Sequence, residues 1–424
     1  MHTPVPSLRT TLTGPLLALE KLFLDNHATI EHWIRHQLKK TPPPFYASVD
    51  IRNAGFKIAP VDTNLFPAGF NNLNLEFMPL LIQATATALS HYYPWCQRLL
   101  LVPENHTRNP FYWQSLTRLY EVLYQAGYEV RVASWKPLQQ TLHTSLGKEV
   151  PVELLERREN KLVLPDFIPC AILLNNDLSE GVPDIFKGIT QVFLPPLKLG
   201  WASRLKSHHF SFYRQVSQEF AEFLNVDPWL INPYFTECHD IDFMKKEGEP
   251  RLATQVDHIL SLIKKKYQEY HIDQKPFVII KADSGTYGMG IMTALSAEEV
   301  THLNRKQRSK MSASKSGKTV EHVLIQEGVY TQETWGEVSA VAEPVVYMMG
   351  SHVVGGFYRI HQDRGPNENL NAPGMRFEPL AFTTACNHPH PQLTLTECPN
   401  RFYAYGVIAR LALIAASREL AEAQ

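Results

Sequence analysis

The chain is expected to fold as an α/β protein built from two units, and three patterns carry that expectation. Between residues 98 and 194, short apolar runs alternate with segments of helical periodicity, as in an open sheet covered by helices. Beyond Trp201 two helical stretches precede a second set of strand-like runs. Within that set, Phe277-Val278-Ile279-Ile280 ends in Lys281 and opens into a turn carrying Gly285, Gly288 and Gly290. Such a strand brings bare backbone N–H groups and one cation to its end, an arrangement suited to phosphate. The boundary between the two units is set at about residue 200, giving 1–200 and 201–424.

Each element follows from its local pattern. Leu12 to Lys40 shows apolar residues at helical spacing and stops before Pro42-Pro43-Pro44, which cannot continue a helix. Asp50 to Asn74 is rich in Asn, Gly and Pro around short apolar runs, so strands and tight loops are expected there. Arg98–Pro103 and Glu129–Ala133 read as strands flanking a helix over Tyr112–Ala126, and Cys170–Leu174 and Gln191–Leu194 repeat the strand pattern. In the second unit, Phe210–Leu224 and Arg251–Tyr267 read as helices, and 277–281 and 323–327 as strands. A hairpin follows, Pro344–Met348 and Val353–Arg359 about a Met-Gly-Ser-His turn, and Phe402–Ala421 closes the chain as a helix. The segment Asn304–Thr319 holds Arg305, Lys306, Arg308, Lys310, Lys315 and Lys318 among Ser and Gly; a solvated loop is expected.

Composition removes several function classes. With 424 residues, 44% hydrophobic and 20% charged, the chain has ordinary globular composition. A formal net charge of −1 gives no global field for nucleic acid or an anionic membrane. The basic segment lacks the interleaved aromatics that would stack on bases. No signal pattern and no membrane-spanning apolar run is seen. Five scattered cysteines argue against a disulfide framework and for a cytoplasmic protein.

Several motifs bear on chemistry. In a strand, Asp62 and Asn64 of Val61-Asp62-Thr63-Asn64 point to one face; paired oxygen ligands suit Mg²⁺, while an Asx turn is the competing reading. Gln326-Glu327-Gly328-Val329 ends a strand whose backbone could meet an adenine edge, with an exposed turn as the alternative. Arg359 ends the hairpin's second strand, ahead of an Asn-rich loop containing Asn369. It offers a planar fork to phosphate or carboxylate, or is simply an exposed hairpin residue. Ser312–Thr319 lacks the first glycine and the leading strand of a P-loop. The Cys386, His388, His390 and Cys398 group fits no common zinc spacing.

Taken in order, these pieces resemble the ATP-grasp superfamily of carboxylate–amine ligases. Lys281 with Gly285, Gly288 and Gly290 is similar to its phosphate-covering flap, and Gln326, Glu327 and Val329 to its adenine hinge. Arg359 and Asn369 resemble residues beside the acyl-phosphate of glutathione synthetases. Asp62 and Asn64 resemble the metal motif of eukaryotic-type glutathione synthetases, with Asp in place of Glu. The phrases VDIRNAGFKIAPVDTNLFPAGFNNLN, KADSGTYGMGI and NENLNAPGMRFEPLAF further resemble a proteobacterial glutamate–cysteine ligase family, over nearly the whole chain.

That resemblance implies an ATP-grasp fold: a substrate and metal unit over 1–200 and a nucleotide-binding unit over 201–424. It implies ATP and Mg²⁺ as cofactors and glutamate and cysteine as small-molecule substrates, with no nucleic acid or membrane partner; a homo-oligomer is compatible with it. Lys281 and Arg359 are the expected catalytic cations and Lys206 a second ATP lysine. Asp283 is the expected third metal ligand, no Glu-x-Asn standing near the C-terminus. Arg52 is expected to grip a substrate α-carboxylate, and Asn71 and Asn72 to bind the amino acid, with a simple turn as their competing reading. The alternatives are glutathione synthetase or another amino-acid ligase of this fold, and an ATP-binding regulator without turnover.

Overall fold

The computed structural model describes residues 17–105, 109–285, 290–312, 319–379 and 402–423. Gly288, Lys315, Lys318 and the Cys386, His388, His390 and Cys398 group lie outside them. The architecture is mixed α/β, with three main sheets.

The first sheet is the open one expected. Arg98–Val102, Glu129–Ser134, Glu149–Leu154, Ala171–Leu174 and Val192–Leu194 run parallel, with Thr141–His143 antiparallel at one edge. Its central strands are apolar on both faces because both are covered. Leu99 and Leu101 pack with helices Met78–Tyr92 and Pro110–Gln125. Leu100 and Val102 join the opposite core with Leu199, Trp201 and Phe210.

The second sheet is antiparallel and draws on both ends of the chain. Its order is Arg376–Pro379, His352–His361, Ala340–Met349, Tyr46–Asn53, Ile58–Asn64, with Thr334–Trp335 beside Ala340–Met349. Helix Phe402–Ala423 lies on this sheet and against helix Lys206–Leu224. Small residues on it (Ala404, Ala409, Ala412, Ala415, Ala416) are buried and allow close approach.

The third sheet is four-stranded and antiparallel, in the order Phe235–Cys238, Val323–Glu327, Val278–Ala282, Ile291–Ala294. Helix Glu249–Glu269 packs on it through Leu252, Val256, Ile259 and Ile263.

One expectation is corrected. Arg305–Ser312 is a helix rather than loop, and the cause is a reciprocal cap. Asn304 Oδ1 accepts from Gln307 N at 2.9 Å and Gln307 Oε1 accepts from Asn304 N at 2.8 Å. This satisfies two otherwise orphaned donors at the helix start.

The C-terminal helix is fixed by a buried ion pair. Arg204 Nε and Nη2 donate to the two Glu419 oxygens at 2.6 and 3.0 Å, and His209 Nδ1 lies 3.0 Å from Oε2. Burial opposes the Glu419 charge, but Arg204 and His209 hold its carboxyl well below the usual range. Replacing Glu419 by Gln should therefore destabilise the fold by ~3–5 kcal/mol, since Arg204 is left buried and unpaired. A urea titration at neutral pH measures this. As pH falls below about 4.3, the unfolded chain takes up this proton first. The native protein should thus lose stability there, and the variant should lose less.

Candidate active site

The hairpin Tyr46–Asn53 and Ile58–Asn64 builds one wall of the site. Ser48 lies opposite Asn64 and Asp50 opposite Asp62, and opposed residues of an antiparallel pair share a face. All four line a single cavity of about 390 Å³. The register slips beyond Asp50, because Ile51 pairs with Pro60. Val61 is the extra residue of this bulge, and its carbonyl accepts a hydrogen bond from Lys281 Nζ at 2.6 Å.

Lys281 arrives from the third sheet. Alternation along Val278–Ala282 turns Ile279 and Lys281 to the cavity, while Val278 and Ile280 enter the core. Gln326, opposite Ile279 in register, also lines the cavity. Lys206, at the first turn of helix Lys206–Leu224, donates to Gly285 O at 2.6 Å and sits 3.7 Å from the Trp201 ring centroid. Gly285 itself has φ +91, a left-handed conformation that glycine adopts without strain.

The electrostatics follow from these positions. Burial alone would raise the Asp62 pKa, yet the charges of Lys206, Lys281 and Arg204 bring it below the ordinary value. Burial pulls Lys206 down to about 8 against the raising effect of Asp62. Lys281 is lowered too, again mainly by burial and again opposed by Asp62. A carboxylate kept ionised between two desolvated lysines is suited to bind a metal–phosphate group.

Arg359 is anchored on the same wall. Its Nη1 donates to Asp50 Oδ2 at 2.9 Å and to Glu343 Oε1 at 2.6 Å. Glu343 is its cross-strand partner. The two carboxylates hold Arg359 firmly charged despite burial. Burial raises Asp50 even so, whereas Arg52 and Arg359 overcome burial to lower Glu343.

The segment Gln326–Val329 borders the cavity beside Ile279 and Ile291. Gln326 is 2% exposed, and its Nε2 has no hydrogen-bond partner among the described residues. Glu327 is buried, which corrects the exposed-turn alternative. Its carboxylate accepts from Trp229 Nε1 at 3.0 Å and Tyr234 N at 2.8 Å, and pairs with Lys57. Gly328 is required sterically, because a Cβ there would meet the Phe277 ring at 2.1 Å.

Most of the expected residues converge. Arg52, Asp62, Asn64, Asn71, Asn72, Lys206, Lys281, Gly285, Gln326, Glu327, Val329, Arg359 and Asn369 all line the cavity. Asn64 forms an Asx turn as well, its Oδ1 accepting from Phe66 N at 2.9 Å. Asn71 and Asn72 lie in a short 3-10 turn, and Asn369 Oδ1 accepts from Asn371 N. Gly290 is not in the cavity wall; its carbonyl accepts from Ala282 N.

Two expected residues are engaged elsewhere, and their assignments are corrected. Asp283 does not line the cavity. It receives Ser207 N at 2.7 Å and Ser207 Oγ at 2.6 Å, placing its charge at a helix N-terminus, where it is favoured. Arg52 does reach the cavity wall, but it donates to Glu343 and to the carbonyls of Val329, Pro366 and Glu368. It braces loops instead of offering an open fork.

Sequence reasoning missed Asp50 and Glu343. Asp50 was visible as the middle of the alternation Ser48, Asp50, Arg52. Glu343 stands just before the hairpin as drawn from sequence, and only the full strand Ala340–Met349 pairs it with Arg359. The oxygen donors Asp50, Asp62 and Asn64 have the chemistry of a Mg²⁺ site, which needs one or two carboxylates completed by water and phosphate. Among the described residues no three His, Cys, Asp or Glu side chains converge as a self-sufficient metal cage. No described helix is long and apolar enough to cross a membrane.

Comparison with known proteins shows the family. A crystal structure from Methylobacillus flagellatus KT, provisionally named gamma-glutamylcysteine synthetase, is 56% identical with TM-score 0.89 over 100% of both chains. D-alanyl-alanine synthetase A of Vibrio cholerae O1 biovar eltor aligns at 11% identity and TM-score 0.30, over 68% of this chain and 76% of that one. So slight a likeness carries no weight here. No curated protein matches. Residues 20–420 match the family model for glutamate-cysteine ligase, and the chain belongs to that family.

Proposed function

We propose that the cavity holds ATP, glutamate and cysteine together and forms γ-glutamylcysteine, ADP and phosphate. The observation that carries this reading is the meeting of Asp62 with Lys206 and Lys281, residues far apart in sequence, in one buried pocket. An ATP-grasp arrangement follows naturally, with nucleotide between the four-stranded sheet and the antiparallel sheet of the hairpin. Adenine lies along Gln326–Val329 against Ile279 and Ile291, and its phosphates run towards Lys281, Lys206 and the Gly285 turn.

The reaction needs alignment and charge neutralisation more than covalent chemistry from the protein. A γ-carboxylate oxygen of glutamate attacks the γ-phosphorus and ADP departs, leaving an acyl-phosphate. The amine of cysteine adds to the acyl carbon, the carbon–oxygen bond to phosphate breaks, and the nitrogen loses its proton to solvent. Lys206, Lys281 and the fixed guanidinium of Arg359 stabilise the transferring phosphoryl oxygens. Asp50, Asp62 and Asn64 would hold Mg²⁺, which supplies further neutralisation of phosphate charge. Asn71 and Asn72 would face the amino-acid end. They share the cavity with Asn175, which follows strand Ala171–Leu174 at the carboxyl edge of the parallel sheet, the edge where open α/β sheets bind ligands. Asp283 secures the root of the flap.

ADP release should be measured with glutamate plus each single amino acid, and the product weighed by mass spectrometry. Turnover with cysteine and a γ-glutamylcysteine mass are expected. Turnover confined to γ-glutamylcysteine plus glycine would make the chain a glutathione synthetase, and ATP binding without ADP would make it a regulator.

A further inference from the structure

The hairpin that supplies Asp62 also reaches the other end of the nucleotide site through its tip. Phe56 stacks on Trp229 with ring centroids 5.9 Å apart and planes at 12°. The next residue, Lys57, is 1% exposed. Its Nζ lies 2.9 Å from Glu327 Oε2, donates to Asn232 O at 3.0 Å, and sits 4.3 Å from the Trp229 ring centroid. Glu327 is thus held from three sides, by Lys57, the Trp229 indole and the Tyr234 N–H. Five residues before Lys57, Arg52 donates to the carbonyl of Val329. The hairpin therefore grips the segment 327–329 at both ends, once through a side chain and once through the backbone.

We infer that Lys57 is a positioning residue for the nucleotide: paired with Glu327, it fixes the strand end Gln326–Val329 against which the purine lies. This rests on the proposal that the segment is the adenine hinge. A buried cation is costly unless paired and hydrogen-bonded. A solvated Lys at the tip of an ordinary hairpin would avoid that cost altogether. What the burial achieves here is a rigid link between two remote parts of one site. The hinge cannot shift without breaking the pair, and the metal-binding strand Ile58–Asn64 begins at the next residue. Lys57 touches no reacting atom, so its loss should weaken ATP binding and leave the chemical step alone.

The test is steady-state kinetics of Lys57→Met, with ATP, glutamate and cysteine varied in turn. The KM for ATP should rise about tenfold or more. At saturating ATP kcat should stay within about threefold, and the KM values for both amino acids should hold. Because Lys57→Met leaves Glu327 charged and buried, the double variant Lys57→Met/Glu327→Gln, which carries no uncompensated charge, is measured alongside. Acting as one unit, the pair should give a KM for ATP in the double variant no worse than in the single. A KM for ATP within twofold of wild type in folded Lys57→Met would overturn the inference, as would a KM for ATP in the double variant well above that of the single. Failure of both variants to fold also counts against it, since a purely structural pair then suffices. If the wild-type enzyme itself shows no ATP turnover with glutamate and cysteine, it is the proposed function that fails, not this inference.

Discussion

Lys281→Met should reduce ADP formation by about 10³-fold, the scale expected when a preorganised charge donor is removed from a desolvated site. Lys281 is nearly buried, donates to the carbonyl freed by the Val61 bulge, and shares its surroundings with Asp62 and Lys206. Methionine keeps an unbranched stem out to Cε and loses the ammonium group, with its charge and its hydrogen bond. The Val61 carbonyl then lacks a donor, a cost of ~1–3 kcal/mol, partly offset because a desolvated cation is also removed. The thermal midpoint should fall by only a few degrees, so a large loss of turnover in a folded protein isolates the catalytic role. Single-turnover ADP release on variant and wild type, beside a melting curve, checks both statements. Turnover within tenfold of wild type would remove Lys281 from the chemistry.

Asp62→Asn should have an effect of similar size, by a distinguishable route. The substitution preserves shape and the oxygen that can accept from Thr63 N, and it removes the negative charge. Binding of Mg²⁺ is then weakened, so the Mg²⁺ concentration for half-maximal activity should rise at least tenfold while kcat falls about 10²–10³-fold. A second signature follows from linkage. Asp62 raises the pKa of both Lys206 and Lys281 in the native protein. Without it the Lys206 value must fall below its present position of about 8, and the ammonium form is lost at lower pH. The alkaline limb of the residual activity should therefore move to lower pH than in wild type. An unchanged limb together with unchanged Mg²⁺ dependence would separate Asp62 from both the metal and the lysines.

How much of this was readable in advance depended on the range of the interaction. Asp62 and Asn64 share a face by two-residue alternation, and Lys281 sits at the end of an apolar strand; both are local facts, and all three residues reach the cavity. The helix Lys206–Leu224 and the parallel sheet were equally local. The pairing of hairpin Tyr46–Asn64 with strand Ala340–Met349 was not, because a ladder partner nearly 300 residues away leaves no mark on the pattern of either strand. Asp50 was missed for that reason, since its significance is its grip on the remote Arg359; Glu343 was missed because the hairpin drawn from sequence began one residue after it, at Pro344. Arg52 and Asp283 were read by type as a carboxylate clamp and a metal ligand. Their partners, three loop carbonyls with Glu343 and a helix N-terminus, emerge only in three dimensions. The helix Arg305–Ser312 is a different kind of miss. The Asn304–Gln307 capping pair is a local signal that the density of charge and serine obscured.

The central claim is that glutamate is activated as an acyl-phosphate inside this one cavity, and the γ-carboxylate oxygen is its direct reporter. Glutamate labelled with ¹⁸O in both γ-carboxylate oxygens should be incubated with ATP, Mg²⁺ and cysteine, and the released phosphate analysed by mass. Transfer of one ¹⁸O to each phosphate is the expected result, at a rate about 10³-fold lower when Lys281→Met replaces wild type. Unlabelled phosphate accompanying γ-glutamylcysteine formation would contradict the acyl-phosphate and the role given to Asp62, Lys206 and Lys281 around it.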